Sequence, residues 1–185
     1  MKKVLLHSPF FLITVIVLLF NIKDASAQKR SEALRFGVGV DVGVPTSDNV
    51  SELVLGPSLR LQWDFPKRTS LTLTTAYEVF VEKDKQEISG ETFIANQLPV
   101  KLGGKFFFGK SYTFYVHPEA GASFSMEKDY GNALVYSGGL GYVTKKGIDL
   151  GLRYEGYEFG DSNKMSPTER FGMIALRVAY GIRLR

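Results

Sequence analysis

Leu98–Phe124 reads LPVKLGGKFFFGKSYTFYVHPEAGASF, mixing Lys101, Lys105, His117 and Glu119 with three consecutive phenylalanines, Phe106, Phe107 and Phe108. Only one local geometry separates the rings from the charges. With a period of two and a tight turn at Gly109-Lys110-Ser111, the segment becomes a hairpin. Phe106, Phe108, Tyr112 and Phe114 then share one face, while Lys101, Lys105, Phe107, His117 and Glu119 share the other. A turn centred on Lys110 pairs Lys101 with Glu119, Gly103 with His117, Phe106 with Phe114 and Phe108 with Tyr112. Pro99 and Pro118 each withhold an amide from a ladder, so a bulge or local break is expected near both.

The same alternation runs outward from this hairpin in both directions. In LRFGVGVDVGV, Leu34, Phe36, Val38, Val40, Val42 and Val44 fall on one face; Arg35, Asp41 and three glycines fall on the other. LVLGPSLRLQWDF and LTLTTAYEV repeat the pattern, as do LVYSGGLGYV, IDLGLRYEGYE and RFGMIALRVAYGIRL. Eight strands result. Their connections alternate in length: Pro66-Lys67-Arg68, Gly109-Lys110-Ser111 and Thr144-Lys145-Lys146-Gly147 are tight. PTSDNVSEL, VEKDKQEISGETF, SMEKDYGNAL and FGDSNKMSPTE are long and polar. Short turns at one end and long loops at the other are the habit of barrels that cross a bilayer.

Alternation alone does not say which face is inside. The interior of eight strands is just wide enough for side chains to fill. The faces built of Gly, Ser, Thr and paired charges fit there; the faces of Leu, Phe, Tyr and Trp do not. Strands of about eleven residues also suit a tilted crossing of hydrocarbon. Trp63, Phe65, Phe106, Phe108, Tyr112, Phe114 and Tyr142 cluster near the short turns, as an aromatic girdle at a lipid–water boundary does. The predicted fold is all-β, an eight-stranded antiparallel up-and-down transmembrane β-barrel, monomeric and closed because an open edge in hydrocarbon is costly.

The 185 residues divide at a processing signal. Lys2 and Lys3 precede the apolar run Phe10–Phe20, and Ala25-Ser26-Ala27 supplies small residues for cleavage. Residues 1–27 are expected to be a cleaved signal peptide and 28–185 the barrel domain. The leader carries Lys2, Lys3, Lys23 and Asp24, leaving 20 basic against 18 acidic residues, a net charge of +2. That balance gives no nucleic-acid footprint. No cysteine is present, so neither a disulfide framework nor a lipoprotein anchor is expected.

NQLPVKLGGKFFF followed by a turn and YTFYVHPEAGASFSM, then YSGGLGYVTKKGIDLGLRYEGY, resembles the small outer-membrane barrels of Bacteroidetes type, called PorT-like. These are akin in architecture to OmpA and OmpX barrels. The likeness covers most of the chain from Gln28 onward. It implies outer-membrane localisation in a Gram-negative cell, insertion by the barrel-assembly machinery, and contact with outer-membrane lipid. It also leaves room for an extracellular or envelope protein partner, or an accessory role in a secretion or gliding machine. Ile182 and Leu184 alternate as a C-terminal insertion signal does, but Arg185 replaces the usual closing aromatic.

Inside the barrel, Arg60, Lys101, Glu119, Arg153, Glu155, Arg177 and His117 form the candidate luminal polar cluster. Arg153 is expected opposite Gly139, and Glu155 opposite Ser137. Both signs are present, so the belt reads as a salt-bridged plug; a gated path or an anion site is the functional alternative. His117, the only histidine after the leader, shares its face with Glu119 and Ser123. Lipid A deacylases are small barrels with a catalytic His and Ser, but Ser123 lies about 20 Å along the strand from His117. No catalytic residue, cofactor or metal is therefore expected, and an envelope-lipid-modifying enzyme stands as the rival reading. The glycines of GVGVDVG and GGLGYV open no helix, and the run Glu82–Glu87 lacks calcium-loop spacing.

Overall fold

The alternating segments form strands in the computed structural model, which describes residues 32–46, 51–81, 96–109, 111–127, 131–160 and 170–184. The strands are β1 (Ala33–Pro45), β2 (Leu53–Asp64), β3 (Thr69–Ala76), β4 (Val79–Val81), β5 (Gln97–Phe108), β6 (Phe114–Ser125), β7 (Ala133–Val143), β8 (Ile148–Phe159) and β9 (Arg170–Arg183). All pairings are antiparallel, β2 pairs with both β3 and β4, β3 pairs with β5, and β1 pairs with both β2 and β9, which closes the sheet. β3 and β4 continue in one register along β2, so the nine segments make eight staves. The expected leader, the Glu82–Glu87 run and much of the long connections lie outside the described residues.

Prolines explain why the third stave is split. Pro57 on β2 and Pro99 on β5 flank Ala76–Glu78 from both sides. Tyr77 N–H donates to Pro57 O at 3.0 Å, but neither proline has an amide to return. The β3–β5 pairing stops at Thr75↔Val100 and resumes as the Glu78↔Gln97 bridge. Pro118 does the same to β5–β6, whose ladder has a gap between Gly103↔Glu119 and Phe106↔Val116. The register is the same on both sides of each gap, so these are breaks without bulges.

The β5–β6 register corrects the sequence expectation by two residues. Lys101 faces Gly121, Glu119 faces Gly103, Phe106 faces Val116 and Phe108 faces Phe114. The connection is five residues long, Gly109 to Thr113, not three. Gly109 (φ 81°) and Tyr112 (φ 54°) both take the left-handed conformation that turns the chain. A shift of two preserves the faces, so the side chains within β5 and β6 still point as the alternation predicts. The β7–β8 pairing matches expectation, with Gly139↔Arg153 and Ser137↔Glu155.

Burial is inverted relative to a soluble barrel. Leu140 is 61% exposed, Leu152 55% and Val178 49%, while Lys101 and Glu155 are both at 0%. Apolar side chains coat the outside, and charged ones fill the inside. At the long-loop end the interior changes character. Val54, Phe80, Ala133, Val135, Tyr157, Phe171, Met173 and Ala175 form a buried apolar cluster there. Tyr157 and Phe171 stack at 4.6 Å, with Phe80 edge-on to Phe171.

Candidate functional site

The charged interior is built by strand alternation. From one strand to the next, inward positions carry Asp41, Arg60, Thr72 and Thr74, Glu78, Lys101 and Lys105, His117 and Glu119, Asp149, Arg153 and Glu155, and Arg177. Inward glycines leave the space these long side chains need. A Cβ on Gly141 would lie 2.0 Å from the Tyr115 ring, so glycine there makes room for the ring to lie over β7 and reach Asp149 on β8.

At the waist, Glu155 binds Lys101 Nζ at 2.6 Å and Arg153 Nε at 2.5 Å through Oε2, and accepts from Tyr157 OH at 2.8 Å through Oε1. Tyr157 OH also lies 2.5 Å from Glu78 Oε2. A second group centres on Glu119. Arg60 Nη2 lies 3.5 Å away, Thr74 Oγ1 donates at 2.6 Å, and His117 Nε2 is 3.4 Å from Oε1. Arg60 Nε donates to Thr74 at 2.9 Å, and His117 Nε2 is 2.9 Å from Thr72 Oγ1.

All seven predicted luminal residues therefore point inward, but they join into one network only through two carboxylates that sequence reasoning left out. Asp41 Oδ1 takes Arg153 Nη1 at 3.1 Å and Arg177 Nε at 3.8 Å. Asp149 Oδ2 lies 3.8 Å from Arg60 Nη1 and 3.9 Å from Arg177 Nη1. Asp149 also binds Lys105 Nζ and accepts from Tyr115 OH at 2.5 Å. The expected Lys101–Glu119 pair does not form. Lys101 reaches across the lumen to Glu155, and Glu119 goes to Arg60. Counting Arg35, part-exposed and on Asp64 at 2.7 Å, six cations (Arg35, Arg60, Lys101, Lys105, Arg153, Arg177) share the interior with six carboxylates (Asp41, Asp64, Glu78, Glu119, Asp149, Glu155), of which Glu78 bonds to Tyr157 rather than to a cation. Such balance is what burial of this many charges requires.

His117 has no serine partner among the described contacts. Ser123 donates instead to Gln97 Oε1 at 2.9 Å. No group of three or more metal-ligating side chains occurs among the described residues. Five of the seven residues expected in the girdle lie exposed on the outer face near the short turns. Trp63 stacks on Phe65 at 6.3 Å, Phe108 on Phe114 at 6.0 Å, and Phe114 meets Tyr142 at 5.1 Å, all exposed on the outer face. Phe106 is half-buried beside them. Tyr112 departs from this row: it sits in the turn under the Arg68 guanidinium, 4.9 Å from its ring centre, and lines a cavity mouth.

That cavity, about 480 Å³, occupies the short-turn end of the lumen. Its walls include Arg35, Arg60, Lys105, Lys145, Asp149 and Arg177. The interior thus runs from a basic vestibule, through a charged waist, to an aromatic cluster under the long loops.

The chain matches no protein-family model and no curated protein sequence. Among solved structures it is similar to Ail, the attachment invasion locus protein of Yersinia pestis. Against Ail in complex with the heparin analogue sucrose octasulfate the TM-score is 0.55 at 12% identity, covering 83% of this chain and 100% of that one. A second Ail structure gives 0.52 at 14% identity, over 82% and 100% of the two chains. Neisserial surface protein A gives 0.52 at 12% identity, over 82% and 99%. At these identities the likeness speaks for architecture: the chain folds as a closed, eight-stranded, all-antiparallel barrel of the kind found in small outer-membrane proteins.

Proposed function

We propose that this chain is an integral outer-membrane protein of a Gram-negative cell. In this reading its closed barrel is a rigid, non-conducting and non-enzymatic scaffold for the four long connections. The observation that carries the reading is the inversion of burial: apolar residues coat the outside of every stave, and a balanced set of charges fills the inside. Water would strip such an exterior of its advantage, whereas hydrocarbon rewards it. Residues 1–27 serve as the cleaved export signal, and the assembly machinery inserts the strands. The NQLPVKLGGKFFF and YSGGLGYV segments favour kinship with PorT-like barrels. The partner is an extracellular or envelope protein that meets the long loops.

Support for a non-conducting lumen comes from side chains that span it, Lys101 to Glu155 and Arg60 to Glu119 among them. Support for a non-enzymatic role comes from His117, which is engaged by Thr72 and Glu119, with Ser123 turned to Gln97. The deciding experiment is expression in a Gram-negative host. Heat-modifiable protein is expected in the outer-membrane fraction with Gln28 as its first residue, and a soluble periplasmic protein would end the reading. Leu152→Arg, at mid-height on the outer face, should cost about 2–4 kcal/mol of folding stability in bilayers. Planar-bilayer recordings should show no large stable conductance, and lipid A mass spectra should not change on expression.

A further inference from the structure

The basic vestibule holds more cationic hydrogen-bonding capacity than its own carboxylates satisfy. Arg35 has Asp64 at 2.7 Å, and Lys105 is bound to Asp149. Arg177 is different. It is 3% exposed, its Nε donates to Ser58 Oγ at 3.1 Å, and its nearest carboxylate oxygens are 3.8 and 3.9 Å away. Its Nη2 is buried with no hydrogen-bond partner among the described residues. Arg60 Nη1 lies 3.8 Å from Asp149 Oδ2, the same oxygen that Arg177 Nη1 faces, so the two guanidinium groups converge on one spot in the cavity wall. Lys145, exposed in the β7–β8 turn, also lines the cavity and has no ion pair among the described residues.

We propose that this vestibule binds a phosphate-bearing anion between Arg177 and Arg60, with Lys145 at the entrance. Guanidinium groups hold phosphate oxygens through charge-assisted, paired N–H donors, and Arg177 and Arg60 both line the cavity. One carboxylate, Asp149, already serves Lys105, Arg60 and Arg177. A phosphate, carrying about −1.5 to −2 charges at neutral pH, suits the remainder better than a second carboxylate does. Volume permits it: small-molecule sites are about 300–1,000 Å³, and this cavity is about 480 Å³. Gly37 keeps the place open. A Cβ there would meet Arg177 Nη2 at 3.7 Å, an ordinary contact, so a side chain at 37 could enter the site without clashing.

Gly37 supplies the test. In folded, detergent-solubilised protein at constant ionic strength, inorganic phosphate should raise the thermal midpoint saturably where chloride does not. It should also broaden the phosphorus NMR line. Gly37→Asp places a carboxylate beside Arg177 and should weaken phosphate binding by at least about tenfold, as should Arg177→Gln. Heat-modifiable migration shows that each variant is folded. If Arg177→Gln does not fold, Gly37→Asp decides alone, since the 37 position tolerates a Cβ. Glycerol 1-phosphate is run in parallel. A response to both compounds identifies a free phosphate ligand, a response to glycerol phosphate alone identifies a lipid headgroup, and either supports the site. No saturable response in the wild type, or an undiminished one in Gly37→Asp, overturns it.

Discussion

The two ends of the lumen hold similar chemistry under opposite conditions of packing. At the waist and above it, Glu155 serves Lys101, Arg153 and Tyr157, with Phe171 and Met173 closing over them. At the turn end, Asp149 serves Lys105, Tyr115, Arg60 and Arg177, but it borders an open cavity. One carboxylate is sealed behind aromatic rings and the other faces space that water can enter. A buried ion pair depends on its remaining partners being satisfied, whereas a wet one can replace a lost partner with solvent. The same kind of hub should therefore be rigid at one end and exchangeable at the other, which is where a ligand would enter.

The largest expected effect falls on the sealed hub. Glu155→Ala leaves Lys101 and Arg153 facing each other's charge in a closed space, and should cost about 3–5 kcal/mol. Urea titration in lipid vesicles, followed by fluorescence of Trp63, the chain's one tryptophan, measures it. Asp149→Ala removes one partner more, four against three, but lets water reach Lys105 and Tyr115. Its cost should be smaller, about 1.5–3 kcal/mol. Equal losses at the two positions would break the contrast between the ends. A larger loss at Asp149 would reverse it and make the vestibule the structural centre.

What the sequence made legible follows from the period of two. That period assigns a face to every strand residue, so the apolar exterior and the inward set of Arg60, Lys101, His117, Glu119, Arg153, Glu155 and Arg177 could be read from it. It does not say who meets whom across a lumen. Lys101 on β5 finds Glu155 on β8, three staves away, and pairing rules reach only the adjacent strand. Asp41 and Asp149 were inward by the same alternation, yet nothing local marks them as links between groups that strands elsewhere supply. The turn after Phe108 misled for another reason. Gly109 suggests a tight reversal, but Tyr112 also adopts a positive φ, a conformation that a tyrosine gives no warning of, and the connection lengthens to five residues.

The smallest expected effect tests whether the contrast between the ends extends to the sheet. Each half has a ladder gap: Pro118 in the turn half of β5–β6, and Pro57 with Pro99 around Ala76–Glu78 in the loop half. Pro118 O points toward β5, as shown by its approach to Gly103, so an amide at 118 would point there too and find Gly104 opposite. Pro118→Ala gains one ladder bond, about 0.5–1.5 kcal/mol. It also frees the unfolded chain, which costs about 0.4–1 kcal/mol. The two nearly cancel, so stability should move by less than about 1 kcal/mol while the amide gained at position 118 becomes slow to exchange with solvent. A protected amide with unchanged stability means that the break is a passive consequence of proline chemistry. A gain well beyond one hydrogen bond would mean that the gap holds strain, and that the turn half is loosened in its backbone as well as in its lumen.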